Sequence, residues 1–199
     1  MKDTGDKKSS AYMINWKRAI SCYKYSFLEI LALRINFFYK LLTSWRKPVY
    51  LKEIKMANIS KKDRVLHIGS GILPYAPMLI VETSNVKVIS IENNKKALKL
   101  AQRFINKKGL SNQITIEYGD GIKYSIKDFD VIFIAINVWP IDKVLRHIHK
   151  QMKENAKVIC KSFKNDIKTA LNQKDLKDKF LIKSMLKNPK SSTYLLLKK

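Results

Sequence analysis

The sequence predicts an α/β fold: a mainly parallel seven-stranded sheet that ends in an antiparallel hairpin, with a helical extension ahead of it. Three observations carry this expectation. Beyond Ser60, short apolar runs alternate with amphipathic helical stretches, the pattern of βαβ units. Residues Ile132 to Ile136 form an unbroken apolar run, as a strand covered on both faces requires. Two strand-like runs then close the chain around the turn Asn188-Pro189-Lys190.

The chain has 199 residues, enough for one well-cored domain with a modest appendage. Hydrophobic residues make up 46% and aromatics 10%, which excludes a disordered tail protein. Residues 1–10 are polar and read as a disordered tip without a signal-peptide core. Residues 11–58 read as an N-terminal helical extension, with Ile20, Phe27, Ile30, Leu31, Phe38, Leu41, Leu42 and Trp45 at three- and four-residue steps. Lys47-Pro48 is expected to end the helical pattern, because a residue before proline is pushed out of the helical region.

Residues 59–199 then read as the main domain. The first strand, Arg64 to Ile68, runs into Gly69-Ser70-Gly71, and a helix from about Pro74 to Thr83 holds Pro74 and Pro77 in its first turn. The second strand, Lys87 to Ile91, ends at Glu92. A strong amphipathic helix over Asn94 to Lys108 stops at Gly109. The third strand, Gln113 to Tyr118, delivers Gly119-Asp120-Gly121, and the fourth, Asp130 to Ile136, delivers Asn137-Val138-Trp139-Pro140. A helix near Asp142 to Met152, a fifth strand over Ala156 to Phe163 and a helix over Asp166 to Asp178 lead to the closing strands, Phe180 to Leu186 and Thr193 to Lys198.

The chemistry gathers at the strand ends. A chain leaving a strand beside a ligand needs glycine, because a Cβ would block close backbone approach. Glu92 ends the second strand 23 positions after Gly69, where a Rossmann-type site sets a carboxylate to accept hydrogen bonds from both ribose hydroxyls. Asp120 follows the third strand. A dinucleotide site would need G-x-G-x-x-G, and its third position here is Pro74, so hydride transfer is the weaker enzyme reading.

Val65-Leu66-His67-Ile68-Gly69-Ser70-Gly71, followed by Glu92 and Asp120, resembles the motif order of class I S-adenosylmethionine-dependent methyltransferases, whose sheet also closes with an antiparallel hairpin. The resemblance implies S-adenosylmethionine as cofactor. Gly69, Ser70, Gly71, Glu92, Asn93, Asp120, Gly121 and Asn137 would line its site, with Asp120 facing the adenine amino group. It also implies methyl transfer to a small-molecule acceptor, with Tyr75, Asn137 and Trp139 as the catalytic candidates over the strand ends. His67 stands where that family commonly has an acid, and Leu73 where a third glycine would fall. His67 reads as a buried-strand histidine. The stretch Gly69 to Pro74 and the run Phe129 to Ala135 are instead similar to nicotianamine synthases, which transfer the aminocarboxypropyl arm of the same cofactor. That transfer is the alternative reading.

The formal charge of +24 invites a third reading, a non-catalytic basic module that binds nucleic acid. The excess is spread evenly, with 12 basic against 4 acidic residues over 1–60, 15 against 8 over 61–150 and 13 against 4 over 151–199. Nearly all of it is lysine, which lacks arginine's planar fork for phosphates and bases. A solvated, compositional charge is therefore favoured over a nucleic-acid face. Lys17, Arg18, Lys24, Arg34 and Lys40 would suit an anionic surface only if they share a face with the aromatics at its border. Cys22 and Cys160 fit neither a metal spacing nor a disulfide framework, so no metal and a reducing, cytoplasmic setting are expected. The apolar stretch Phe27 to Tyr39, broken by Glu29 and Arg34, falls short of the ~20 residues of a membrane span.

Overall fold

The computed structural model of the chain describes residues 27–163, 165–189 and 191–199. The expected tip at 1–10, the start of the helical extension at Tyr12, and Lys17, Arg18, Ile20, Cys22 and Lys24 lie outside the described residues. Two helices precede the sheet: α1 over 27–34 and α2 over Asn36–Ala57, separated at Ile35.

Helix α2 does not stop at Lys47-Pro48 but runs through Pro48 for nearly three further turns. A proline inside a helix removes one backbone hydrogen bond and crowds the preceding turn, a cost of about 3 kcal/mol. Burial of the next turns offsets it: Glu53, Ile54 and Ala57 are all buried, whereas Ser44, whose carbonyl loses its partner, faces solvent. Local propensity is overridden by packing.

The rest alternates as expected: β1 (Val65–Ile68), α3 (Tyr75–Ser84), β2 (Val88–Glu92), α4 (Lys95–Lys107), β3 (Ile114–Tyr118), β4 (Val131–Ile134), α5 (Ile141–Gln151), β5 (Lys157–Phe163), α6 (Asp166–Leu171), β6 (Phe180–Lys187) and β7 (Ser191–Lys198). Helix α6 ends at Leu171 rather than running to Asp178. The chain turns there, so that Leu176 is buried and Asp175 pairs with Arg146.

The seven strands form one sheet in the order β3-β2-β1-β4-β5-β7-β6. All neighbours are parallel except β7, which runs antiparallel to both β5 and β6. Period-two alternation sends successive side chains to opposite faces. Leu66, Ile68, Ile132, Ile134, Val158 and Cys160 pack with α5 and α6. Val65, Val131, Phe133, Ile159 and Leu195 pack with α2, α3 and α4, and Ala32 of α1 joins the same cluster. Both faces are covered, which is why the central strands read as continuous apolar runs. Edge strand β6 is irregular: its register with β7 shifts between Ile182 and Ser184, and Leu181, Ile182 and Met185 are exposed.

Helix α2 is pinned to the sheet by one buried polar contact. Glu53 Oε1 receives a hydrogen bond from Thr193 Oγ1 of β7 at 2.7 Å and an ion pair from Lys161 Nζ of β5 at 2.9 Å, while the Lys161 ammonium lies 4.5 Å from the centre of the Tyr50 ring. Removing one member of a buried pair leaves the other charge uncompensated. We expect Glu53→Ala to lower unfolding free energy by about 3 kcal/mol in urea denaturation, and Glu53→Gln, which keeps an acceptor for Thr193, to lower it less.

Candidate functional site

Strand β1 has β2 on one side and β4 on the other. The loops leaving β1 and β4 therefore diverge to opposite faces, and such a switch point opens a crevice at the carboxyl ends of the strands. A cavity of ≈ 1220 Å³ lies there, lined by the loops that follow β1, β2, β3 and β4. Its other wall comes from α1, α2, Lys161 and Phe163 of β5, and the turn of the closing hairpin at Asn188, Pro189 and Ser191.

The floor is the glycine turn. Gly69 has φ of +91°, and a Cβ built on it would lie 2.8 Å from Val138 Cγ2, so only glycine lets the β1 turn pass beneath the β4 loop. Its amide and that of Ser70 donate to the Ile91 carbonyl at 2.9 and 3.2 Å, tying the turn to the end of β2. Glu92 completes the tie. Its Oε2 accepts from the Gly71 amide and its Oε1 from the Asn94 amide, each at 2.9 Å. Each oxygen keeps acceptor capacity for a ligand, since an ionised carboxylate offers about four lone-pair sites. Asn94 caps α4 through Oδ1, which accepts from the amides of Lys96 and Ala97. Asp120 is held by the Ile122 amide at 3.0 Å, and a Cβ on Gly121 would meet Ile68 Cγ2 at 2.9 Å, so the β3 loop lies directly on β1.

Gly69, Ser70, Gly71, Glu92, Asn93, Asp120, Gly121, Asn137 and Trp139 thus all line the one cavity. Tyr75 does not. It is buried beneath α2, edge-to-face with Tyr50 at 5.8 Å, and burial pushes its phenol up to about 12. The Tyr75 amide closes a tight turn onto the Leu73 carbonyl, and the side chain joins the apolar core there.

The sequence motifs missed the residues supplied by the helices and by β5. Glu29 of α1 stands over the glycine turn. Its carboxylate receives Arg46 Nη1 at 3.0 Å and the amides of Ile72 and Leu73, and its Oε2 lies 3.5 Å from where a Gly71 Cβ would be. Burial raises its pKa, against the opposing pull of Arg46 and the two amides. The signal was present: Glu29 is the only acid in the apolar stretch Phe27 to Tyr39. Lys161 was hidden inside a strand pattern, and its partner Glu53 lies on a distant helix.

A sheet of this order with a glycine turn after β1 and acids after β2 and β3 defines a class I methyltransferase-like Rossmann protein. Within that class the chain belongs to the nicotianamine synthase family, whose model, "Nicotianamine synthase protein", matches residues 47–187. The chain is similar to the demethylmenaquinone methyltransferase of Lactobacillus johnsonii, 31% identical over 121 residues, covering 57% of this chain and 48% of that protein. It is also similar to the L-histidine 2-aminobutanoyltransferase of Yersinia pestis, 25% identical over 132 residues, covering 66% of this chain and 48% of that protein. The chain thus spans about half the length of these curated relatives. Among solved structures, a glutamate-to-glutamine variant of MtNAS shares the fold with a TM-score of 0.77 at 17% identity, covering 98% of this chain and 78% of that one. The same variant has also been solved with S-adenosylmethionine, and MtNAS with MTA and tNA.

His67 is the buried strand histidine that the sequence suggested, with Nδ1 3.0 Å from Ser90 Oγ. Burial lowers its pKa from 6.5 to about 4. Between those values the unfolded chain carries the extra proton, so stability present above about 6.5 is lost as pH falls toward 4, by roughly 3 kcal/mol in all. Urea midpoints measured from pH 7 to 4.5 should fall more steeply for the wild type than for His67→Asn.

Proposed function

We propose that the chain is an S-adenosylmethionine-dependent transferase that moves the aminocarboxypropyl arm of this cofactor to an amine acceptor. Residues 59–199 form the cofactor-binding unit and the preceding helices close it. One observation carries the reading: Glu29, a carboxylate of raised pKa, projects from α1 into the cavity over the glycine turn. Membership of the nicotianamine synthase family supports the choice of arm over methyl, although the sequence motifs alone rank methyl transfer first.

The cavity residues fit the cofactor. Glu92 has an acceptor left on each oxygen for the two ribose hydroxyls, Asp120 is available to the adenine amino group, and Asn93 and Gly121 flank them. Gly69, Ser70 and Gly71 allow close approach of the ligand to the backbone, and Asn137 lies over them after β4. Glu92 and Asp120 suit a cationic sulfonium, while of the lining cations Arg46 and Lys161 are ion-paired to Glu29 and Glu53, and Lys96 lies at the start of α4. At ≈ 1220 Å³ the cavity holds a cofactor and an acceptor together.

When bound, S-adenosylmethionine supplies a sulfonium whose aminocarboxypropyl carbon accepts an amine as the C–S bond breaks and methylthioadenosine leaves. The chain's own contribution is to position the acceptor and take its proton. An amine attacks only when unprotonated, and Glu29 is the base that α1 brings to the glycine turn. Its raised pKa makes it a better base than an ordinary carboxylate. Trp139 stands half-exposed at the rim beside Asn137.

The deciding experiment incubates the protein with S-adenosylmethionine and candidate amines and identifies the by-product. Methylthioadenosine supports the proposal. S-adenosylhomocysteine overturns it in favour of methyl transfer, the reading that the demethylmenaquinone methyltransferase relative supports. Glu29→Gln should slow turnover by about 100-fold or more while cofactor affinity by calorimetry changes little. The wild-type rate should rise with pH as Glu29 loses its proton, and Glu29→Gln should lack that limb. Glu92→Ala should weaken cofactor binding by about tenfold or more, and unchanged affinity would remove the ribose assignment.

A further inference from the structure

Helices α1 and α2 pack one apolar side on the core and bury both of their acids, yet they carry a second set of apolar residues on the solvent side. Phe37, Leu41, Pro48 and Leu51 fall on one solvent-facing side of α2, with Trp45 at its border. Phe37 is 67% exposed and Trp45 75%. Phe27, Ile30 and Arg34 share the outer side of α1, where Phe27 is 57% exposed, and Ile35 between the helices is exposed as well. The two sets meet at one place, since Leu28, Ile30 and Trp45 all line the rim of the cavity.

The charges on these helices are equally one-sided. Glu29 and Glu53 are the only acids over residues 27–57, and their side chains are 15% and 4% exposed, both turned inward onto partners. Arg34, Lys40, Lys52 and Lys55 are exposed, and Lys47, exposed as well, pairs with Glu82 of α3. The outer face of α1 and α2 is therefore apolar and cationic, with no acid on it.

We propose that this face docks on an anionic lipid surface, with the cavity rim at the interface. A helix that lies in a membrane interface combines Trp, Phe and Leu with flanking Lys and Arg, the combination present here. Charge complementarity identifies the lipid as anionic, because lysines within a Debye length of acidic headgroups are attracted to them. The aliphatic residues decide against a nucleic acid. Bases stack on aromatic rings, whereas Ile30, Ile35, Leu41 and Leu51 gain most from hydrocarbon. A second copy of the chain is disfavoured by repulsion between two molecules of charge +24. No helix among the described residues is long and apolar enough to cross a membrane, so the contact is with the surface.

The test is co-sedimentation of the full chain with phosphatidylcholine–phosphatidylglycerol vesicles and with pure phosphatidylcholine vesicles. Anionic vesicles should bind about tenfold more strongly or better, and tryptophan emission should shift to the blue with them, a shift reduced in Trp45→Phe. Phe37→Ser combined with Leu41→Ser should lower partition by about tenfold, with far-UV circular dichroism and thermal midpoint near those of the wild type. Lys40→Glu combined with Lys52→Glu, which leaves the apolar side chains intact, should abolish the preference for anionic vesicles. Equal partition into the two vesicle types, unchanged partition of the serine variant when folded, or retention of the preference by the glutamate variant would overturn the proposal. So would release of the protein from vesicles by a single-stranded RNA oligomer that binds the same face, as shown by loss of RNA binding in the serine variant.

Discussion

Parallel strands joined by right-handed crossovers put each connecting helix on a face fixed by the direction in which the sheet is wound. In this chain the winding reverses at β1, which has β2 and β4 as neighbours, and the reversal determines nearly everything about the cavity. It separates α3 from α5 and leaves neither of these connecting helices over the carboxyl ends of the central strands. It also brings the loops after four strands to one place, so Gly69, Glu92, Asp120 and Asn137 converge although they span 69 positions of sequence, inclusive. The short bonds that follow are consequences. Glu92 grips the Gly71 amide only because β2 lies beside β1 in parallel register, with Ile68 opposite Ile91.

The helices ahead of the sheet add what the switch point lacks. Open on one side, the crevice would leave a bound molecule in water, where charge–charge interactions are weak. Helices α1 and α2 cover it and bring Glu29 and Arg46 to the glycine turn, and the contact of Glu53 with Lys161 and Thr193 fixes the height of α2 above the sheet. The same contact neutralises a cation at the cavity wall. A chain of charge +24 thereby keeps a pocket in which Arg46 and Lys161 are both paired, leaving Glu92 and Asp120 against Lys96 on its wall, an arrangement that suits a sulfonium.

Much of this was legible in the sequence, and the reasons are physical. Strands covered on both faces leave apolar runs, and β1, β2 and β3 each end in a glycine or an acid that local chemistry explains, so seven strands and the closing hairpin were readable to within two residues. The glycine turn, Glu92 and Asp120 were readable because each depends on its own strand end. Pro48 misled, because helix α2 is held by burial of residues beyond it rather than by its own propensity. Tyr75 misled because a tight turn at Leu73 directs it inward. Glu29 and the Glu53–Lys161–Thr193 cluster join residues far apart in sequence, the last spanning 140 positions, and no local pattern registers such a contact.

The irregular edge strand has a consequence for the molecule outside its chemistry. Strand β6 carries Leu181, Ile182 and Met185 in the open and would offer a neighbouring chain an unpaired row of amides and carbonyls. The register shift between Ile182 and Ser184 sets Lys183 out of the regular ladder, with Lys179 and Lys187 at the two ends of the strand. A bulge increases local twist, and lysine on an edge repels another like it. The sheet therefore ends at β6 by its own shape and charge, protected from adding foreign strands even though no helix among the described residues covers that border.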